Sequence, residues 1–262
     1  MKLNHSLLTI SIAVLLFGGC RSEVPSNINL EQAHNLKTQH IIAPGNGTIG
    51  IIHNGSVHMY YYDEREGWLA DDVTRFDIPD GNRGILSMGM GTIGVVMDDQ
   101  LNFFRVNTFN EWQEQPHLCF SLPKKYDRLV SMHMPWEIGV LGIEQEGVLN
   151  FYFYYDDDWH HDPTSGFNVP AGISSYYPTG EMTIAIVDNQ KLGLYFLGPE
   201  EGWSFMDHDN FILLLPDHYQ GIIPVGTSRM AVLEGQNLNF YALDLENDRW
   251  VLHTDLKFDL PF

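Results

Sequence analysis

Thr92-Ile93-Gly94-Val95-Val96, Leu101-Asn102-Phe103-Phe104, Phe120-Ser121-Leu122-Pro123 and Leu129-Val130-Ser131-Met132 are four short apolar runs within residues 92–135. Asp98-Asp99-Gln100 supplies a turn between the first two, and a polar loop carrying Trp112 separates the second from the third. Runs of this length, bounded by turn residues, predict one four-stranded antiparallel meander.

The unit recurs. Five openings read Thr48-Ile49-Gly50-Ile51-Ile52, Thr92-Ile93-Gly94-Val95-Val96, Glu137-Ile138-Gly139-Val140-Leu141, Thr183-Ile184-Ala185-Ile186-Val187 and Arg229-Met230-Ala231-Val232-Leu233, with starts 44, 45, 46 and 46 residues apart. Second strands follow at Val57-His58-Met59-Tyr60, Leu101-Asn102-Phe103-Phe104, Leu149-Asn150-Phe151-Tyr152, Leu192-Gly193-Leu194-Tyr195 and Leu238-Asn239-Phe240-Tyr241. Each copy then has a tryptophan, at 68, 112, 159, 203 and 250, and a third strand that ends on an apolar-proline signature such as Phe76-Asp77-Ile78-Pro79. Proline suits a strand end because it cannot donate to a central ladder.

The last unit stops at Phe262 without a fourth strand, while an unassigned run, Gln39 through Gly45, resembles the end of a unit. Four strands per 40–45 residues match β-propellers. The pattern over residues 39–262 resembles the propeller superfamily, with no narrower family indicated. The expectation is an all-β, five-bladed β-propeller with four-stranded antiparallel blades starting near 48, 92, 137, 183 and 229. Its ring is expected to close by the N-terminal strand completing the last blade. A closed ring needs no capping repeats. In this reading Gly50, Gly94, Gly139, Ala185 and Ala231 relieve crowding at the axis, and the five tryptophans fill the space between sheets.

The N-terminus reads as an address. Met1-Lys2 precedes a mostly apolar stretch at 7–17, too short to span a bilayer, and then Gly18-Gly19-Cys20. This ending resembles the lipobox of bacterial lipoproteins, although Phe17 stands where the family usually has Leu. The resemblance implies a signal peptide at 1–19, lipidation of Cys20, a tether at 20–38, and a place in the bacterial cell envelope with the membrane met through the lipid anchor only. Cys119, the only other cysteine, is then left without a disulfide partner and reads as a small core residue.

With 14 Lys and Arg against 34 Asp and Glu, the net charge is −20, which excludes nucleic acid as a partner. No nucleophile elbow, phosphate loop, dinucleotide fingerprint or paired-cysteine metal site is present. Glu137 and Arg229 break a ring of threonines at the expected channel mouth, with Trp136 beside them. At the other channel end stand His53, Met97, Gly142, Asp188 and Glu234, a set with some metal-ligating chemistry. The cluster Asp156-Asp157-Asp158-Trp159-His160-His161-Asp162 matches neither an EF-hand loop nor a zinc pattern. Asn102, Asn150 and Asn239 share one strand position, which calls for a reason because Asn is depleted in strands. Bonds to an adjacent blade's backbone, or a repeated ligand site, would supply one.

Acidic loops, including Asp156, Asp157, Asp158, Glu200 and Glu201, are expected on one face of the ring. The function they imply is non-catalytic: a lipid-anchored binding or assembly module for an envelope protein or peptide. No cofactor is expected beyond a weakly indicated divalent cation. The alternatives are a lectin-like propeller that holds a glycan, or a glycoside hydrolase. Five-bladed hydrolases place carboxylates from several blades around the channel, and the Thr48-to-Ile52 run has none.

Overall fold

The computed structural model describes residues 41–45, 47–132, 139–198, 202–206, 209–226 and 228–261. These form five antiparallel sheets, over residues 41–77, 82–121, 128–168, 175–214 and 221–259, here called blades 1 to 5. Each sheet runs in chain order from an inner strand through a second and third to an outer one. In blade 1 these are Ile41–Gly45, Thr48–His53, Ser56–Asp63 and Gly67–Asp77. The inner strands of successive blades pack side by side, and the strand Ile41–Gly45 also packs on Gly221–Gly226, which closes the ring. The chain is a five-bladed β-propeller.

Closure differs from the expectation. The strand Ile41–Gly45 pairs with Thr48–His53 of its own blade, with Ile42 opposite Gly50 and Gly45 opposite Thr48. Blade 5 is complete by itself, from Gly221–Gly226 to Arg249–Asp259. A repeating meander can be cut into sheets at any phase, and period alone does not choose one. A short local turn does, because closing it costs far less chain entropy than joining two termini. Gly45 pairs with Thr48, so the link between these two strands is that short.

The run taken as the opening of each unit is therefore the second strand, one position out from the axis. In blade 3 it is also displaced by three residues, spanning Val140–Gln145. Gly142, not Gly139, is then the counterpart of Gly50, since Phe151 faces Gly142 as Met59 faces Gly50. A Cβ on Gly142 would come within 2.6 Å of Val130, and one on Gly50 within 2.6 Å of Val57. Neighbours on the same sheet, rather than crowding at the axis, hold this position small. Gly139 serves elsewhere: its N–H donates to the Met88 carbonyl of blade 2 at 2.8 Å.

The apolar core is divided among the five spaces between blades, each cluster drawing on two adjacent sheets. Each space is fastened by a tryptophan at its outer edge. The indole N–H of Trp112 donates to the Thr74 carbonyl of the preceding blade, Trp159 to Leu118, Trp203 to Ser165, Trp250 to Phe211, and Trp68 of blade 1 to Leu256 of blade 5. The core role expected of these residues holds, with a polar handle added.

Those carbonyls lie where every outer strand breaks its ladder. In blades 1, 3 and 5 it is a single strand of 11 residues with a register shift, opposite His58, Asn150 and Asn239 respectively. In blades 2 and 4 a 3₁₀ turn, Pro116–Leu118 or Asp209–Phe211, interrupts it opposite Asn102 or Gly193. The recurring Asn thus faces a gap in its own sheet. Asn150 donates to the Val148 carbonyl, Asn239 to Glu234, and Asn102 accepts from the Cys119 thiol. These bonds stay within one blade, which replaces the expected bonds to an adjacent one.

Candidate functional site

Strand alternation sorts the loops onto two faces. The upper face carries the turns from inner to second strand and from third to outer strand. The lower face carries the turns from second to third strand and the crossings between blades.

On the upper face three third-to-outer loops share one construction. The side-chain oxygen of Asp63 accepts from the backbone N–H groups of Arg65 and Glu66, that of Asn107 from Phe109 and Glu111, and that of Asp244 from Glu246 and Asn247. Such Asx turns fix a loop locally. The bond from Asn247 holds the Asp244 carboxyl below its ordinary range. In blade 3 the connection is shorter: Asp156 and Asp157 take positive φ of 51° and 61°, a geometry Asp tolerates in tight hairpins. Asp156, Asp157 and Asp158 are all exposed on this face.

Large apolar side chains stand among these carboxylates. Phe109 is 80% exposed, Leu245 67% and Tyr155 53%. Sequence reading missed them, since an isolated apolar residue in a loop carries no pattern. Trp136, Glu137, Glu200 and Glu201 lie outside the described residues, as do Cys20 and the segment before it.

The channel is a narrow cavity of about 240 Å³ lined by all five inner strands. Its few polar groups bind the ring together. The Ser87 hydroxyl donates to the Ala43 carbonyl, and Ser131 to the Ser87 carbonyl. At the lower end the Arg128 guanidinium lies 4.4 Å from the centre of the Tyr176 ring, whose hydroxyl donates to Glu144. Burial pushes that hydroxyl far above its usual range, against the opposing pull of Arg128.

The residues expected at the channel ends are not there. His53, Met97, Asp188 and Glu234 end second strands, and the blade 3 counterpart is Gln145 rather than Gly142. Among the described residues no group of three or more His, Cys, Asp or Glu is placed to hold a metal ion. His160 stacks on Tyr155 at 3.9 Å between ring centres, and His161 packs on Tyr152. As neighbours in one strand they point to opposite sides of the sheet.

Arg229 begins a second strand, so it too is off the channel. It lines a cleft of about 260 Å³ between blades 5 and 1, walled by Tyr62, Trp68 and Phe240 with His253 beyond.

No protein-family model matches the chain, and no curated protein is significantly similar to it. Among solved structures, a protein from Lactobacillus plantarum aligns with a TM-score of 0.40 at 12% identity, over 82% of this chain and 69% of that one. Hsv2 of Kluyvelomyces marxianus gives 0.39 at 13%, over 83% of each chain. The WD40 domain of SCAP from fission yeast gives 0.39 at 13%, over 85% of this chain and 56% of that one.

Proposed function

We propose that this chain is a non-catalytic binding module of the bacterial cell envelope, anchored through a lipidated Cys20. On this reading its upper face holds a protein or peptide whose surface is basic and partly apolar. One observation carries the reading: Phe109, Leu245 and Tyr155 stand exposed among carboxylates on the same face. Aromatic and large apolar anchors inside a polar surround are what binding hot spots are made of. The Asx turns hold two of these tips in place before any partner arrives, so less ordering entropy is lost on binding. The surrounding carboxylates, Glu64, Glu66, Glu111, Glu246 and the three aspartates at 156–158, supply steering for a cationic partner.

The anchor rests on the apolar stretch at 7–17 and the Gly18-Gly19-Cys20 ending. Several acyl chains make a stable hold at about 0.8 kcal/mol per buried CH₂. Cys20→Ser is expected to move the protein from the membrane to the soluble fraction, and persistence in the membrane with no acyl mass on wild type rejects the anchor.

The binding face is tested by crosslinking in cells and mass spectrometry. Wild type is compared with a chain carrying Phe109→Ser, Leu245→Ser, Asp156→Asn and Asp157→Asn. The expected result is one dominant envelope protein that wild type captures, that raised salt weakens, and that the variant loses. The same captured proteins on both chains, or glycan with no protein, would sink this reading.

A further inference from the structure

Blade 5 turns toward blade 1 a face unlike those its sister blades turn toward their neighbours. In each third strand the residue just before the partner of the tryptophan is large: Tyr61, Arg105, Phe153 and Phe196. In blade 5 it is Ala242. On the adjoining second strand the residue is Thr48, Thr92, Val140 or Thr183 in blades 1 to 4, and Arg229 in blade 5, directly opposite Ala242. On the outer strand Asp71 and Asp162 pair with Met59 and Phe151, whereas His253 pairs with the equivalent Phe240. Three neighbouring positions thus exchange bulk for space, threonine for a cation, and a carboxylate for an imidazole.

A plain swap of volume would fill the interface. Instead a cleft of about 260 Å³ remains, and Arg229 at its edge is exposed. Among the described residues the guanidinium has no ion-pair partner, in a chain where acids outnumber bases 34 to 14. The walls are fixed: Trp68 stacks on Phe240 at 5.4 Å between ring centres and its N–H is held by the Leu256 carbonyl at 2.8 Å. Mostly apolar concave walls with one or two convergent polar groups are how small-ligand sites are built, and a guanidinium is matched to a carboxylate.

We propose that the cleft between blades 5 and 1 binds a carboxylate carried on a single aromatic or branched apolar group, free or as the C-terminal residue of a peptide. The ring or branched group lies against Tyr62, Trp68 and Phe240 in the space that Ala242 leaves. The carboxylate meets Arg229, with His253 as a second donor. The site lies between the Asp63 and Asp244 loops of the upper face and draws on neither for a ligand-binding group.

The test uses 3-phenylpropionate, its uncharged amide, and the peptide Gly-Gly-Phe with a free or amidated C-terminus. Binding is followed by ligand-observed NMR and by the fluorescence of the intact protein. Wild type is expected to bind the acid at least about tenfold more tightly than the amide, the factor that about 1.4 kcal/mol of charge recognition gives. Arg229→Gln should bring acid and amide together, and Ala242→Phe, which restores the bulk of the sister blades, should abolish both. Circular dichroism and melting of each variant verify that the propeller is intact. Preference for the free-ended peptide over 3-phenylpropionate identifies a chain terminus as ligand, and the reverse identifies a small acid. No saturable binding at millimolar probe, equal binding of acid and amide to wild type, or undiminished binding by folded Ala242→Phe overturns the proposal.

Discussion

At four interfaces one blade passes the chain to the next; at the fifth, blades 5 and 1 meet with no covalent link. Yet the fifth uses the same fastening as the rest: an apolar cluster shared by two sheets and a tryptophan N–H on a carbonyl of the preceding blade. It also holds the cleft walled by Tyr62, Trp68 and Phe240. Side-chain complementarity, not chain connectivity, therefore closes the ring. The joint without a chain crossing leaves a cleft of about 260 Å³. Odd and even blades add a reason. Bulged outer strands and 3₁₀ turns alternate around the ring, and with five blades alternation fails once, where two bulged blades adjoin at this joint.

The largest expected effect is loss of the inner strand of blade 1. Ile41, Ile42 and Ala43 are buried there, and burying each large aliphatic side chain is worth about 1.5–3 kcal/mol. A chain beginning at Gly47 also exposes the edge of Thr48–His53 inside the channel, an unpaired edge that invites aggregation. No cooperative melting transition is expected by circular dichroism. Retention of one near the wild-type temperature would mean that the strand contributes little to closure.

Next come the tryptophans, and here the joints should diverge. Trp159→Ala at an ordinary interface is expected to cost about 3–5 kcal/mol in denaturant unfolding. Trp68→Ala should cost less, near the lower end, because the cleft already lies beside that ring and water can enter the space left. Trp203→Phe keeps most of the apolar surface but leaves the Ser165 carbonyl without its donor, for about 1–2 kcal/mol. A larger loss at Trp68 than at Trp159 would break the comparison and make the cleft joint the tighter one.

The fold was legible because apolar runs, turns and tryptophans repeat, and those are packing requirements that every blade must meet. The phase of the blades was not, since a periodic pattern has no origin; only the close pairing of Gly45 with Thr48 marks one. Blade 3 was misaligned because Gly139 and Gly142 both fit the small position, although Val148-Leu149 after the Glu146-Gly147 turn favours the second. The alternation of blade types was present in the tryptophan spacings of 44, 47, 44 and 47. The cleft was hidden for a different reason. Ala242 and His253 are unremarkable in themselves, and they acquire meaning only when five strands are set in register.

The smallest effect concerns the outer-strand bulge, where blade 3 and blade 5 differ by a carboxylate. Asp162 accepts from the hydroxyl and the backbone N–H of Thr164 at 2.7 and 2.8 Å. These bonds, the hydroxyl's first, hold its carboxyl below the ordinary range. They favour the ionised form in the folded chain, so their contribution is present above the ordinary carboxylate pKa and fades as pH falls through the lower folded-state value. His253 stands at the corresponding place in blade 5 and makes no such turn, so that bulge gains nothing from an ionised carboxylate at this position. Asp162→Asn keeps the shape of the side chain and removes the charge. It is expected to lower stability at neutral pH by about 0.5–1 kcal/mol, the size of one modest hydrogen-bond term. Urea unfolding of the two chains from pH 7 downward should converge as the wild-type carboxylate takes up its proton. A difference that persists unchanged into acid would assign the effect to amide geometry rather than charge, and the bulges of blades 3 and 5 would then differ in sequence but not in electrostatics.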